Sequence, residues 1–362
     1  MLRISVRLAA IAMLLATTNP ASAQLYVASY FTSALYNYSP TGGGLQSNPF
    51  PPGSLEGPSR ITLGPDGNIY IANQGPPVFS PPGTPPAPGV PGNVLRYNPT
   101  TGVSSTFLSS ADLTLVGGAS YSPTGLSFGA DGNFYLARNN GPTGAAGSGA
   151  IDRFSPTGAF LGTVATGFTQ PVEITIRGTD LYVSNLRGST VGGNSGLGSV
   201  DRIANYTTAT SATAVVTNFV AAGSGGLENP TGTAFDSQGR FYIADVSDVS
   251  SGASNKVNRY NADGSFETTF IGPAVLGGTF TSDIIFTDDG DALVAGLGFP
   301  GFIPGTVSRF SDVGAFETSI LVDTGISPSS LVLLPVPEPL LLVALGGIVL
   351  LALRKPLSVA TI

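Results

Sequence analysis

The sequence predicts an all-β, six-bladed β-propeller, and three observations predict it. A unit of four short strands recurs along the chain. Its strands are joined by Asp-Gly-type turns between alternating apolar residues, a strong hairpin signal. The piece missing from the first unit is found at the far end of the last.

The first two strands of the unit read SRITLGPDGNIYIAN (59–73), TGLSFGADGNFYLAR (124–138), VEITIRGTDLYVSN (172–185), TGTAFDSQGRFYIAD (231–245) and SDIIFTDDGDALVAG (282–296). The third strand reads NVLRY (93–97), AIDRF (150–154), SVDRI (199–203), KVNRY (256–260) and TVSRF (306–310). Its arginine falls at 96, 153, 202, 259 and 309. Fourth strands such as VSSTFL (103–108) and SFETTF (265–270) follow a polar turn. The sixth unit is split. LYVAS (25–29) matches a second strand, SALYNYSPTG (33–42) a third strand and its turn, and SSLVLL (329–334) the missing first strand. A ring closed by both ends leaves no open blade edge. Helical periodicity is almost absent between the ends.

Composition agrees with this reading. Only 10% of the 362 residues are charged and 42% are hydrophobic, against a usual charged fraction of roughly 25%. Gly and Pro, 49 and 29 residues, punctuate the apolar runs as turn residues do. There is no Cys, His or Trp. Disulfides, thiol chemistry and thiolate-bound metals are therefore closed to the chain, as are the commonest general base and transition-metal ligand. With the targeting residues Arg3, Arg7, Arg354, Lys355 and Glu338 set aside, 11 basic and 21 acidic side chains remain, a net of −10. That balance repels phosphate backbones and argues against nucleic-acid partners.

The two ends read as addresses. Residues 1–23 carry basic Arg3 and Arg7, the apolar run Leu8–Ala16, and Ala21-Ser22-Ala23. This is the order of a secretion signal, with Ala21 and Ala23 as the small residues that signal peptidase needs. In residues 335–362, Pro337-Glu338-Pro339 precedes the apolar run Leu340–Leu353 and then Arg354-Lys355. A run of this kind is expected to form a transmembrane helix, and the basic pair places its C-terminal end in the cytoplasm. The triplet, run and basic pair resemble the PEP-CTERM sorting domain, although the basic cluster is short and a seven-residue tail follows it. The resemblance implies recognition of Pro337, Glu338, Pro339, Arg354 and Lys355 by an exosortase of Gram-negative bacteria. It also implies a membrane-anchored precursor whose final place is the cell surface or the extracellular matrix.

Residues 24–334 resemble the NHL repeat family, through the D-G-N turn, the "IYVAD"-like second strand and the "V-x-R-F"-like third strand. A propeller of this kind places the long loops between strands two and three on one face. Loops on a rigid scaffold carry specificity, so function is expected on that face. There the second strands end in Ser29, Asn73, Arg138, Asn185, Asp245 and Gly296, and the first strands begin near Arg60, Glu173 and Asp283. Asn73, Arg138, Glu173, Asn185, Asp245 and Asp283 form the candidate channel-mouth site for a ligand or cation. Oxygen-rich clusters of this sort can hold Ca²⁺ or Mg²⁺, and strand ends in a hydrated channel are also polar without function.

Two functions follow. One is an exported binding module for a polysaccharide or protein ligand of the envelope or biofilm matrix, without catalysis. The other is a secreted divalent-metal hydrolase or lactonase, since gluconolactonase-like propellers use a metal held by Glu, Asn and Asp. Glu173, Asn185 and Asp245 are the right types, although the motifs around them differ from that family's. The third-strand arginines share a face with the preceding Val or Ile and are expected to pair with acidic or carbonyl groups of a neighbouring blade.

Overall fold

A computed structural model of the protein describes residues 23–75, 92–117, 121–140, 147–187, 197–246, 254–298 and 303–335. Most of residues 1–23 and 335–362 lies outside these, including Ala21, the Pro337-Glu338-Pro339 triplet and the run 340–353. Among the described residues no helix is long and apolar enough to cross a membrane.

The described residues form six antiparallel sheets of four strands each. Strands β1 (Gln24–Ser29), β2 (Ala34–Tyr38) and β3 (Leu45–Phe50) belong to the first blade. Blade two is β4 (Pro58–Leu63), β5 (Ile69–Asn73), β6 (Asn93–Tyr97) and β7 (Ser104–Leu108). Blade three is β8 (Tyr121–Phe128), β9 (Phe134–Asn140), β10 (Gly149–Phe154) and β11 (Phe160–Phe168). Blade four is β12 (Pro171–Arg177), β13 (Asp180–Asn185), β14 (Ser199–Ala204) and β15 (Val215–Val220). Blade five is β16 (Pro230–Phe235), β17 (Phe241–Asp245), β18 (Lys256–Tyr260) and β19 (Phe266–Ile271). Blade six is β20 (Phe280–Phe286), β21 (Ala292–Leu297), β22 (Gly305–Phe310) and β23 (Phe316–Asp323). The last strand, β24 (Pro328–Leu334), returns to pair with β1. This is the closure that SSLVLL and LYVAS predict. It is fastened by Tyr30 N donating to Ser327 O at 2.9 Å and Ser327 N donating to Ser29 Oγ at 2.9 Å.

The turn between strands one and two explains why the hairpins are so regular. Asp66 Oδ1 accepts from Asn68 N at 3.1 Å, and Asp131 Oδ1 accepts from Asn133 N at 3.2 Å. Gly67 sits at φ 74°, a region that costs other residues strain. The same aspartates accept from the Tyr70 and Tyr135 hydroxyls at 3.0 and 2.9 Å. Each turn is thus tied to a tyrosine whose ring is buried between blades.

That ring carries the packing. Tyr70 meets Phe107 of its own fourth strand and Phe128 of the next blade's first strand, with centroids 4.9 and 4.7 Å apart. Tyr182 repeats this with Phe219 and Phe235 at 4.8 and 5.0 Å. Tyr242 does so with Phe270 and Phe286 at 4.9 and 4.8 Å. Edge-to-face pairs of this kind contribute about 0.5–1.5 kcal/mol each beyond the area they bury.

Two expectations are corrected. A short helix, Ser110–Gly117, follows β7, where no helical periodicity is read. Its N-terminus is fixed by Asp112 accepting from Ser109 N at 2.9 Å, a local bond that apolar spacing does not reveal. The third-strand arginines mostly pair within their own blade. Arg202 meets Asp180 at 2.7 Å, Arg259 meets Glu267 at 2.6 Å, and Arg309 meets Asp289 and Asp291 at 2.6 Å. Arg153 instead reaches the Thr207 carbonyl of blade four. Cross-strand neighbours lie closer than the adjacent blade, so a long side chain near the rim finds them first.

Candidate functional site

Each first strand lines the channel and opens with the same small motif. Pairing runs Pro58 to Asn73 and then Arg60 to Ala72, Pro171 to Asn185 and then Glu173 to Ser184, and Thr281 to Gly296 and then Asp283 to Ala295. One extra residue is accommodated at each step. Such a bulge re-aims the residues beside it.

In most blades the extra residue bears a hydroxyl that reaches the next blade. Ser329 Oγ donates to Pro58 O at 2.6 Å, Ser59 Oγ to Pro123 O at 3.2 Å, and Thr124 Oγ1 to Pro171 O at 2.6 Å. Thr231 Oγ1 donates to Thr281 O at 2.7 Å, and Ser282 Oγ to Pro328 O at 2.7 Å. Val172 holds the equivalent place in blade four and has no hydroxyl to offer. Five bonds of this type therefore stitch the inner strands into a hoop.

The next residue round the ring is Ser330, Arg60, Gly125, Glu173, Gly232 and Asp283 in blades one to six. The two glycines are needed for close approach. A Cβ on Gly125 would lie 2.7 Å from the Glu173 Cα, and one on Gly232 would lie 2.4 Å from the Asp283 Cα. Blades two, four and six supply an arginine and two carboxylates, all buried.

These three meet. Arg60 Nε makes an ion pair with Glu173 Oε2. Arg60 Nη1 donates to Ser329 O at 2.5 Å, and Nη2 donates to Ser282 O at 3.1 Å. Asp283 Oδ2 accepts from Ser330 Oγ at 2.9 Å and from Leu331 N at 2.8 Å, and Oδ1 accepts from Ile284 N at 2.9 Å. Burial pushes Glu173 up to about 7; Arg60 opposes this and the charge of Asp283 adds to it. Burial raises Asp283 too, against Arg60 and its three donors. One guanidinium serves two buried carboxylates, so the pair is held short of full ionisation near neutral pH.

The triad separates two cavities. The upper one, of about 230 Å³, lies at the long-loop face and is lined by Arg60, Tyr30, Gln74, Phe280 and the hoop residues Ser59, Thr231, Ser282 and Ser329, among others. Tyr30 Oη donates to Gln74 Oε1 across its rim at 3.4 Å. The lower one, of about 480 Å³, lies towards the Asp-Gly turns and has Glu173 and Asp283 among its lining residues.

The other candidate residues are drawn to partners in their own blades. Asn73 Nδ2 donates to Asn93 Oδ1 at 2.9 Å, and Asn185 Nδ2 to Asp201 Oδ2 at 3.0 Å. Arg138 pairs with Asp152 at 2.9 Å, and Asp245 with Lys256 at 3.1 Å. Asp245 Oδ1 also accepts from Glu228 N and Asn229 N at 3.1 and 2.8 Å, which fixes the approach to blade five. All four side chains therefore point along their sheets to the third strand, while Glu173 turns to Arg60 and Asp283 to Ser330 and Leu331 of blade one.

The three residues whose types suit a metal each have a protein partner. Glu173 is bound to Arg60, Asn185 to Asp201 and Asp245 to Lys256. Among the described residues no group of three or more His, Cys, Asp and Glu side chains is placed to hold an ion. Arg60, which the sequence places at the start of a first strand beside Glu173 and Asp283 but outside the candidate set, belongs with them. Its signal is present in the sequence, because Arg, Glu and Asp occupy one repeat position in alternate blades.

No family model and no curated protein matches the sequence. Solved structures do resemble it. A protein of unknown function from Bacteroides caccae superposes with a TM-score of 0.54 at 11% identity, over 86% of this chain and 99% of that one. The periplasmic gluconolactonase of Pseudomonas aeruginosa gives 0.48 at 16% identity, over 87% of this chain and 99% of its own. A gluconolactonase of Xanthomonas campestris gives 0.46 at 13% identity, over 85% and 87%. At these identities the likeness is one of fold.

Proposed function

We propose that the chain is an exported, exosortase-sorted propeller that binds a carbohydrate-like ligand of the envelope or matrix in its upper cavity. The observation that carries the binding role is the make-up of that cavity. The Tyr30 and Phe280 rings offer apolar faces, and the Gln74 amide and the Arg60 guanidinium offer polar groups at fixed positions. Aromatic faces with a few placed hydrogen-bonding groups are how proteins hold polyhydroxylated rings. The volume is below the roughly 300–1,000 Å³ of drug-sized sites, so one sugar ring or chain terminus is the fitting size. Export and sorting draw on the terminal segments 1–23 and 335–362. Arg60 is held by carbonyl oxygens and Glu173, so its guanidinium is positioned before a ligand arrives.

The second reading, a divalent-metal lactonase, needs Glu173 to leave Arg60 and join Asn185 and Asp245 around Ca²⁺ or Mg²⁺. Calorimetric titration of the purified protein separates the two. The binding reading expects saturable uptake of a monosaccharide from a neutral and acidic sugar panel, weakened at least about tenfold by Gln74→Ala, with no stoichiometric Ca²⁺ uptake. Stoichiometric Ca²⁺ binding together with hydrolysis of gluconolactone would replace it with the second reading.

A further inference from the structure

We infer that the upper cavity selects a 6-deoxyhexose, a sugar whose C6 is a methyl group, over hexoses that carry a hydroxyl there. The inference deepens the sugar-binding reading and rests on it. It comes from the way the lining of the cavity divides between two arcs of the ring.

Blades one and two form a polar arc. Tyr30 and Gln74 line it, both partly buried, and the Tyr30 hydroxyl donates to Gln74 Oε1 at 3.4 Å. Among the described residues the Gln74 amide nitrogen has no acceptor, and the Tyr30 oxygen receives no donor. A donor and an acceptor therefore stand side by side at the rim. Two neighbouring ring hydroxyls match such a pair.

Blades four to six form the other arc, where the hydroxyls are already engaged. Thr231 Oγ1 lies 2.9 and 2.7 Å from Ala244 O and Thr281 O. Thr281 Oγ1 donates to Asp245 O at 2.9 Å, and Ser282 Oγ to Pro328 O at 2.7 Å. The other side chains of this arc are hydrocarbon: Val172, Val246, Phe280 and Leu297. Val172 stands where the other five blades have Ser or Thr, so the hoop itself turns apolar on this side.

In a pyranose the C6 substituent lies across the ring from the C2 and C3 hydroxyls. With those two at Tyr30 and Gln74, C6 falls on the hydrocarbon arc. A methyl group there gains by leaving water. A hydroxyl there gives up its hydration and meets no partner, and a C6 carboxylate loses more still.

The test titrates three matched pairs calorimetrically into the purified protein: L-rhamnose with L-mannose, L-fucose with L-galactose, and D-quinovose with D-glucose. The members of each pair differ only at C6. At least one deoxy sugar should bind saturably, and about tenfold or more tighter than its partner. Leu297→Asn, which sets an amide on the hydrocarbon arc at the end of β21, should narrow that ratio to about threefold or less. Gln74→Ala should weaken both members alike and leave the ratio unchanged. Equal affinity within every pair, or preference for the C6 hydroxyl, would overturn the inference and leave sugar binding in place, whether or not the Leu297 variant folds. A ratio unmoved by Leu297→Asn would overturn the placement of C6. Failure of every sugar to bind would overturn the sugar-binding reading as well.

Discussion

The Arg60 guanidinium of blade two crosses the channel to the Glu173 carboxylate of blade four, and both side chains are buried. A buried ion pair of this kind contributes little net stability when intact, because desolvation offsets the attraction. Its removal from one side is a different matter.

Arg60→Ala should therefore be costly. It leaves Glu173 and Asp283 without a counter-charge and the Ser329 and Ser282 carbonyls without their guanidinium donor. A loss of about 3–5 kcal/mol in a denaturant melt is expected. The pair Arg60→Met with Glu173→Leu should recover only part of it, because Asp283 and the two carbonyls still lack the guanidinium. A single variant within about 1 kcal/mol of the parent would show that the triad is solvated and of little structural weight.

Acid stability should be shaped by the same pair. The folded Glu173 carboxyl titrates near 7 instead of 4.5, so the unfolded chain releases its proton first as pH rises. Stability contributed by the protonated group is complete below 4.5 and is lost as pH rises through about 7. The turn aspartates act in the other window. Burial pushes Asp66 up, yet bonds from Asn68 and Tyr70 outweigh it and hold the group below 3.8, so its contribution is lost as pH falls through that lowered value. Thermal melts should show a maximum in the acidic range, and Glu173→Gln should flatten the decline between 4.5 and 7. An unchanged profile in that variant would remove Glu173 as its source.

Ring closure can be tested by length alone. A chain ending at Ser327 should lose cooperative unfolding and amide protection in β1–β3, whereas one ending at Pro335 should retain both. Two equally cooperative melts would mean that β24 is dispensable.

How much of this was legible in the sequence depended on distance along the chain. The hairpins were, because Asp66-Gly67-Asn68 and its relatives fix each turn with bonds only two to four residues long. The closing strand was legible too, since SSLVLL completes a pattern that LYVAS leaves open. The site was only partly so. Asn73, Asn185, Arg138 and Asp245 end equivalent strands, but their cross-strand partners lie nearer than the channel axis. The triad joins alternate blades, and its bond from Arg60 to Ser329 spans 269 residues. No local pattern reports such a contact. Repeat alignment can, by showing Arg, Glu and Asp in one register, and the Pro-Ser and Pro-Thr pairs of the hoop were readable in the same way.

The tail allows a sharp separation of two expectations that share one topology. Changing Pro337-Glu338-Pro339 to three alanines leaves Leu340–Leu353 untouched, so membrane insertion should persist. A sorting enzyme that reads the triplet should then fail, trapping a precursor that mass spectrometry finds still carrying residues 340–362. Normal processing of the altered protein would reduce the segment to a plain anchor.

The closure between β1 and β24 also sets a timetable. Ser29 and Ser327, whose bond fastens it, are 298 residues apart. At about 5–20 residues per second, the first blade waits on the order of a quarter of a minute or longer between the emergence of its opening strand and that of its partner. Throughout that interval β1 presents an unpaired edge to whatever strand is near. The ring is thus an assembly completed at the last moment, and its early strands depend on something other than their native neighbour to keep them from mispairing.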